Sequence, residues 1–86
     1  MPASYSVQIK QSAEKELRRI AKADLRRVVR RIELLASDPR PAGCEKLFGD
    51  EGYRIRQGDY RILYTVEDDK RMIEVYKIGH RREVYR

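Results

Sequence analysis

Apolar and polar positions alternate with two different periods along this chain. Residues 5–9, "YSVQI", alternate with period two and carry Tyr, Val and Ile, which predicts a strand. From residue 12 the period lengthens. Ala13, Leu17, Ile20 and Ala21 share one face of a helix, with Ser12 placed to cap it and Glu14 and Glu16 where the dipole favours negative charge. Leu25, Val28, Val29, Ile32, Leu35 and Ala36 predict a second, strongly amphipathic helix that starts near Asp24. It ends at or before Asp38, because Pro39 disfavours helical backbone in the residue ahead of it. The short link between the two predicts a helical hairpin.

Period two returns in the C-terminal half, with strands near 53–57, 59–66 and 71–78. Short turns at Gln57–Gly58 and Asp68–Asp69 make them an antiparallel meander. The Pro- and Gly-rich segment 37–52 reads as a loop, with Leu47 and Phe48 docked on the core. Residues 79–86 show no helical period, and no helix is expected there. The fold class is therefore α+β, one domain over residues 1–86 in the order β-α-α-β-β-β. An antiparallel sheet, the meander plus the N-terminal strand, carries both helices on one face. Tyr60, Ile62, Tyr64, Ile73 and Val75 form the helix-facing side. The other side, with Arg54, Arg56, Arg61, Leu63, Thr65, Glu74 and Tyr76, has little left to cover it.

Charge gives that open face its interest. Twenty Lys and Arg against fourteen Asp and Glu leave a net charge of +6, which draws the protein to polyanions, above all nucleic acid. Arg18, Arg19, Arg26, Arg27, Arg30 and Arg31 are read as the solvated side of amphipathic helices. The sheet arginines differ. A turn at Gln57–Gly58 sets Arg56 opposite Asp59, Ile55 opposite Tyr60 and Arg54 opposite Arg61. Like charges across a strand pair cost about 0.2–1 kcal/mol. The pair makes sense if an anion bridges it, and a phosphate accepts two guanidinium forks well. His80, Arg81, Arg82 and Tyr85 extend the candidate site, with Tyr85 able to stack a base.

Other chemistries recede. A single cysteine, Cys44, excludes an internal disulfide and reads as a small buried hydrophobe. One Cys and one His cannot supply a structural zinc site, and no cofactor or metal is expected. No signal peptide and no apolar run of about 18 residues is seen, so no membrane is expected and the cytoplasm is the expected compartment.

The element order, the block "YRIRQGDYRILYTV" (53–66) and the ending "IGHRREVYR" (78–86) resemble the RelE/ParE superfamily of bacterial toxin–antitoxin toxins. The hairpin block is shared across that superfamily, whereas the ending resembles the RelE branch. The resemblance implies a toxin that cleaves mRNA in the ribosomal A site without metal, by attack of the 2′-hydroxyl on the adjacent phosphate. It implies that Arg61 and Arg54 hold the phosphate, Arg56 supports the 2′-oxygen and Arg81 serves the leaving oxygen. Arg82 and Tyr85 then contact substrate, with His80 or Tyr85 accepting the proton. The chain departs from the RelE pattern where lysines often occupy the positions of Arg54 and Arg56, and where another basic residue often replaces His80. The implied partners are an acidic, RelB-like antitoxin in a hetero-oligomeric complex and the 70S ribosome with its mRNA. Two alternatives stay open: a ParE-like gyrase poison, and a basic nucleic-acid-binding module without chemistry.

Overall fold

A five-stranded mixed sheet with two helices on one face organises the protein, whose computed structural model describes residues 4–84. The elements are β1 (Ser6–Ile9), α1 (Gln11–Leu17), α2 (Lys22–Leu34), β2 (Glu45–Lys46), β3 (Tyr53–Gln57), β4 (Tyr60–Glu67), β5 (Met72–His80) and α3 (Arg81–Val84). Across the sheet the order is β1-β5-β4-β3-β2. The meander β3–β4–β5 is antiparallel as expected, but β1 joins it as a parallel partner of β5, with Val7 beside Ile73 and Ile9 beside Val75.

Both helices start earlier than their caps predict. Lys10 and Ala21 occupy the N-cap positions, and neither makes a side-chain cap bond. The end of the ladder decides the first start: Lys10 N–H donates to the Val75 carbonyl at 2.8 Å, and the chain turns into α1 directly. Ala13 and Leu17 of α1, Ile20 of the link after it, Val28 and Ile32 of α2 and Leu35 at its C-cap meet Ile55, Ile62, Tyr64, Ile73, Val75 and Ile78 in one core. Val29, counted in the apolar stripe of α2, is exposed, because the sheet covers only one side of that helix. At the base of the core the Tyr64 hydroxyl donates to the Pro39 carbonyl at 2.7 Å. Arg40 forks onto Asp68 at 3.2 and 2.8 Å and donates to the Tyr53 hydroxyl at 2.9 Å, tying the long loop to the sheet.

β1 ends before β5 does, so the upper half of β5 lacks a strand neighbour on that side. There the Ile78 N–H donates to Glu16 Oε1 of α1 at 2.9 Å. Ile78 is buried, and an unsatisfied buried N–H costs about 1–3 kcal/mol. Glu16→Ala is therefore expected to lower unfolding free energy by about 1–2 kcal/mol. Glu16→Gln, which keeps an acceptor oxygen, is expected to recover most of it in urea titrations.

Four local expectations are corrected. The Phe48 side chain lies outside the core and is exposed, and Leu47 is only half-buried. Glu45–Lys46 forms a short edge strand inside the presumed loop, pairing with Arg54 and Tyr53. The β4–β5 connection is a four-residue loop, Asp68 to Arg71, closed by Glu67 opposite Met72, with Arg71 at φ +50. Residues Arg81–Val84 form a short helix where none was expected.

Candidate anion-binding site

The β3–β4 turn sets the register of the cationic face. Gly58 and Asp59, rather than Gln57 and Gly58, are its central residues, so Gln57 pairs with Tyr60. Gly58 takes φ +60 while Asp59 stays at negative φ, the pattern of a type II′ turn, whose twist matches the flanking strands. Arg61 consequently stands opposite Arg56, and Arg54 opposite Leu63. Moving the turn by one residue shifts pairing by two positions, so every side chain keeps its face. The like-charge pair survives with a different partner.

Arg61 is the anomaly of the site. Only 7% of it is exposed, and its Nη1 donates to the carbonyls of Gly58 and Tyr60 at 3.3 and 3.1 Å. Its Nε is buried with no hydrogen-bond partner among the described residues. Its partner on β5 is Gly79, which presents no side chain over it. A buried guanidinium facing a second arginine, with a donor left over, makes this face the candidate for binding an anion.

One carboxylate already reaches this face. Glu45, paired with Arg54 across β2–β3, places Oε2 3.0 Å from Arg54 Nη2 and Oε1 3.6 Å from Arg56 Nη2. The Arg54 hydrogen bond and charge, helped by Arg56 and Arg61, hold the Glu45 carboxyl below the usual carboxylate range. It is ionised at neutral pH and half-exposed. Sequence reasoning missed Glu45 because a two-residue strand is too short to show a period. It also passed over Lys77, which pairs with Leu63 on this same face.

A bulge explains why Lys77 was missed and where the tail goes. Leu63 pairs with Lys77 but Tyr64 pairs with Val75, leaving Tyr76 as the extra residue of β5. Beyond it the alternation inverts: Ile78 enters the core, and His80 pairs with Tyr60, ring to ring at 5.8 Å, on the helix side of the sheet. His80 lines a cavity of about 240 Å³ with Glu16, Arg19, Ile20, Tyr60, Ile78 and Gly79. It is thus not brought together with the arginines, as its proposed proton-accepting role required. Arg81, by contrast, is stitched to the site: its N–H donates to the Asp59 carbonyl in the β3–β4 turn at 2.7 Å. Arg82 is exposed one residue further along α3, its N–H 3.4 Å from His80 Nδ1. Tyr85 lies outside the described residues.

The lower part of the same face is partly covered. The Tyr76 hydroxyl donates to the Glu51 carbonyl at 2.6 Å, drawing the β2–β3 connection across β4. Among the described residues no group of three or more His, Cys, Asp or Glu is placed to hold a metal ion. No helix among them is long and apolar enough to cross a membrane.

Comparison with known proteins agrees with this architecture. The sequence model of the family described as "ParE toxin of type II toxin-antitoxin system, parDE" matches residues 7–85. A protein of Methanocaldococcus jannaschii bearing the name RelE1 is 33% identical over 86 residues, covering 95% of this chain and 96% of its own. The archaeal RelE–RelB complex of Pyrococcus horikoshii OT3 contains a chain that superposes with a TM-score of 0.82 at 31% identity, covering 93% of this chain and 98% of that one. Isolated E. coli RelE toxin gives a TM-score of 0.78 at 28% identity, covering 95% and 92%.

Proposed function

Because this chain belongs to the ParE toxin family of type II toxin–antitoxin systems, with relatives that bear the RelE name, we propose that it is a ribosome-dependent mRNA endoribonuclease. The observation that carries the reading is the buried, partly unsatisfied Arg61 opposed by Arg56 and flanked by the Arg54–Glu45 pair. That set binds a phosphodiester and also offers it a base. A gyrase poison or a passive nucleic-acid binder needs the cations but not the carboxylate.

In this mechanism Arg61 and Arg54 hold the scissile phosphate and Arg56 supports the 2′-oxygen. Glu45 takes the proton from the 2′-hydroxyl, whose oxygen attacks phosphorus. The bond from phosphorus to the 5′-oxygen breaks, leaving a 2′,3′-cyclic phosphate. The 5′-alkoxide departs beside Arg81 and is protonated by solvent. A guanidinium stays charged throughout the working pH range, so it serves the developing charge and not proton transfer. Glu45 replaces His80 as acceptor because it shares the arginine face, while Tyr85 and Arg82 keep the role of contacting the base and strand. The +6 charge fits an acidic, RelB-like antitoxin as resting partner, and acting on the 70S ribosome would make the cytoplasm its site of work.

The test is cleavage of mRNA on programmed 70S ribosomes, with 5′ ends mapped. Wild type should cut in the A-site codon, and Glu45→Gln should lower kcat about 10²-fold, the usual scale for losing a general base. Because Glu45 is held below the usual carboxylate range, it is protonated, and the rate lost, only as pH falls through that lowered value. The rate should therefore stay flat from pH 8 to about 5.5, whereas a histidine base would show an inflection near 6.5. Intact mRNA in a preparation that arrests growth would move the target to gyrase.

A further inference from the structure

Phe48 is the one phenylalanine of the chain, and 94% of it is exposed. It sits on an anchored connection rather than a loose tip. Leu47 N–H donates to the Gly52 carbonyl at 2.7 Å, and the Glu51 carbonyl accepts from Tyr76. Three residues before it, Glu45 contacts the arginines, and extended backbone spans at most about 3.6 Å per residue. The two Cα atoms are thus within about 11 Å of each other. The Tyr76 bond draws this connection over the same face of the sheet that carries the arginines. An exposed aromatic ring next to a cationic phosphate clamp is the combination by which proteins hold single-stranded nucleic acid.

We infer that Phe48 stacks on a nucleobase flanking the scissile phosphate, so that RNA is gripped at the arginines and steadied at the β2–β3 connection. The inference rests on the mRNA reading above and extends it to a second contact. Every base has a π-face, so this contact sets affinity and position on the strand without choosing a codon.

Ribosome-programmed cleavage separates the possibilities. Phe48→Ala should raise KM about tenfold with kcat within twofold of wild type, since the ring touches no reacting atom. Phe48→Tyr and Phe48→Trp should restore KM, and Phe48→Leu should not. An unchanged KM for Phe48→Ala, or full rescue by leucine, overturns stacking. The chain contains no tryptophan, so Phe48→Trp also installs a single reporter. Its emission should be quenched by a non-cleavable, 2′-deoxy-substituted RNA oligonucleotide whose binding is followed separately by dye anisotropy. Bound RNA without quenching, or a blue shift on adding the antitoxin instead, assigns the ring to a protein contact and overturns the inference. Wild type that fails to cleave overturns the mRNA reading itself. Wild type that cleaves beside an indifferent Phe48→Ala overturns the stacking alone.

Discussion

Arg61→Met is expected to lower cleavage of ribosome-bound mRNA by about 10²–10³-fold, the scale for removing one preorganised donor to developing charge. Methionine keeps an unbranched stem in the buried position and removes the guanidinium. The same variant should be at least as stable as wild type. It loses a like-charge opposition to Arg56 worth about 0.2–1 kcal/mol, and a buried Nε without a partner disappears. A lost rate with an unchanged or raised thermal midpoint is the signature of a residue kept for binding rather than for folding. Cleavage within threefold of wild type would remove Arg61 from the site. A large fall in stability would mean that the guanidinium's bonds to Gly58 and Tyr60 hold the turn together.

Gly52→Ala is expected to be the most damaging small substitution for the fold. Gly52 has φ +92, and a Cβ there would overlap the Tyr64 carbonyl oxygen, with the Thr65 Cα only 3.2 Å away. Both neighbours are backbone of the central strand β4 and cannot swing aside. Strained backbone costs about 1–3 kcal/mol and forced overlap in a packed region a similar amount, so about 3–5 kcal/mol is expected. In a chain of this size that lowers the thermal midpoint by roughly 15–30 °C. Gly49→Ala provides the comparison: φ is +66, but nothing lies within 4 Å of its Cβ position, and about 1–2 kcal/mol is expected. Equal effects at the two glycines would show that the close approach to Tyr64 is unimportant. The same approach seats the connection that carries Phe48 and follows directly on β2, the strand of Glu45.

Much of the site was legible because strand alternation is robust. Arg54, Arg56 and Arg61 were assigned to one face with the wrong turn, and they stayed on that face when the turn moved. Their opposition was misread, since a one-residue change of turn exchanges Arg54 for Arg56 as the partner of Arg61. Glu45 was invisible for a different reason. Two residues on a sheet edge carry no period, and only pairing with Arg54 and Tyr53 identifies them as a strand. Phe48 was assigned to the core on hydrophobicity alone, and the anchoring of its neighbours leaves it in water.

By itself the sequence determined what local chemistry dictates: the two amphipathic helices, the meander, the helix-facing and cationic sides of the sheet, and the net positive charge. Tertiary structure alone decided how the pieces register. The parallel seat of β1, the edge strand with Glu45, and the bulge at Tyr76 all depend on residues far apart in the chain. The bulge shows the physical reason. Unbroken alternation from Glu74 would carry His80 out beside the arginines, but one extra residue lets Ile78 reach the core and turns His80 to the helix side. A period written in the chain says which residues share a face. It does not say where that period slips, because a slip is set by the apolar area that neighbouring elements offer to bury.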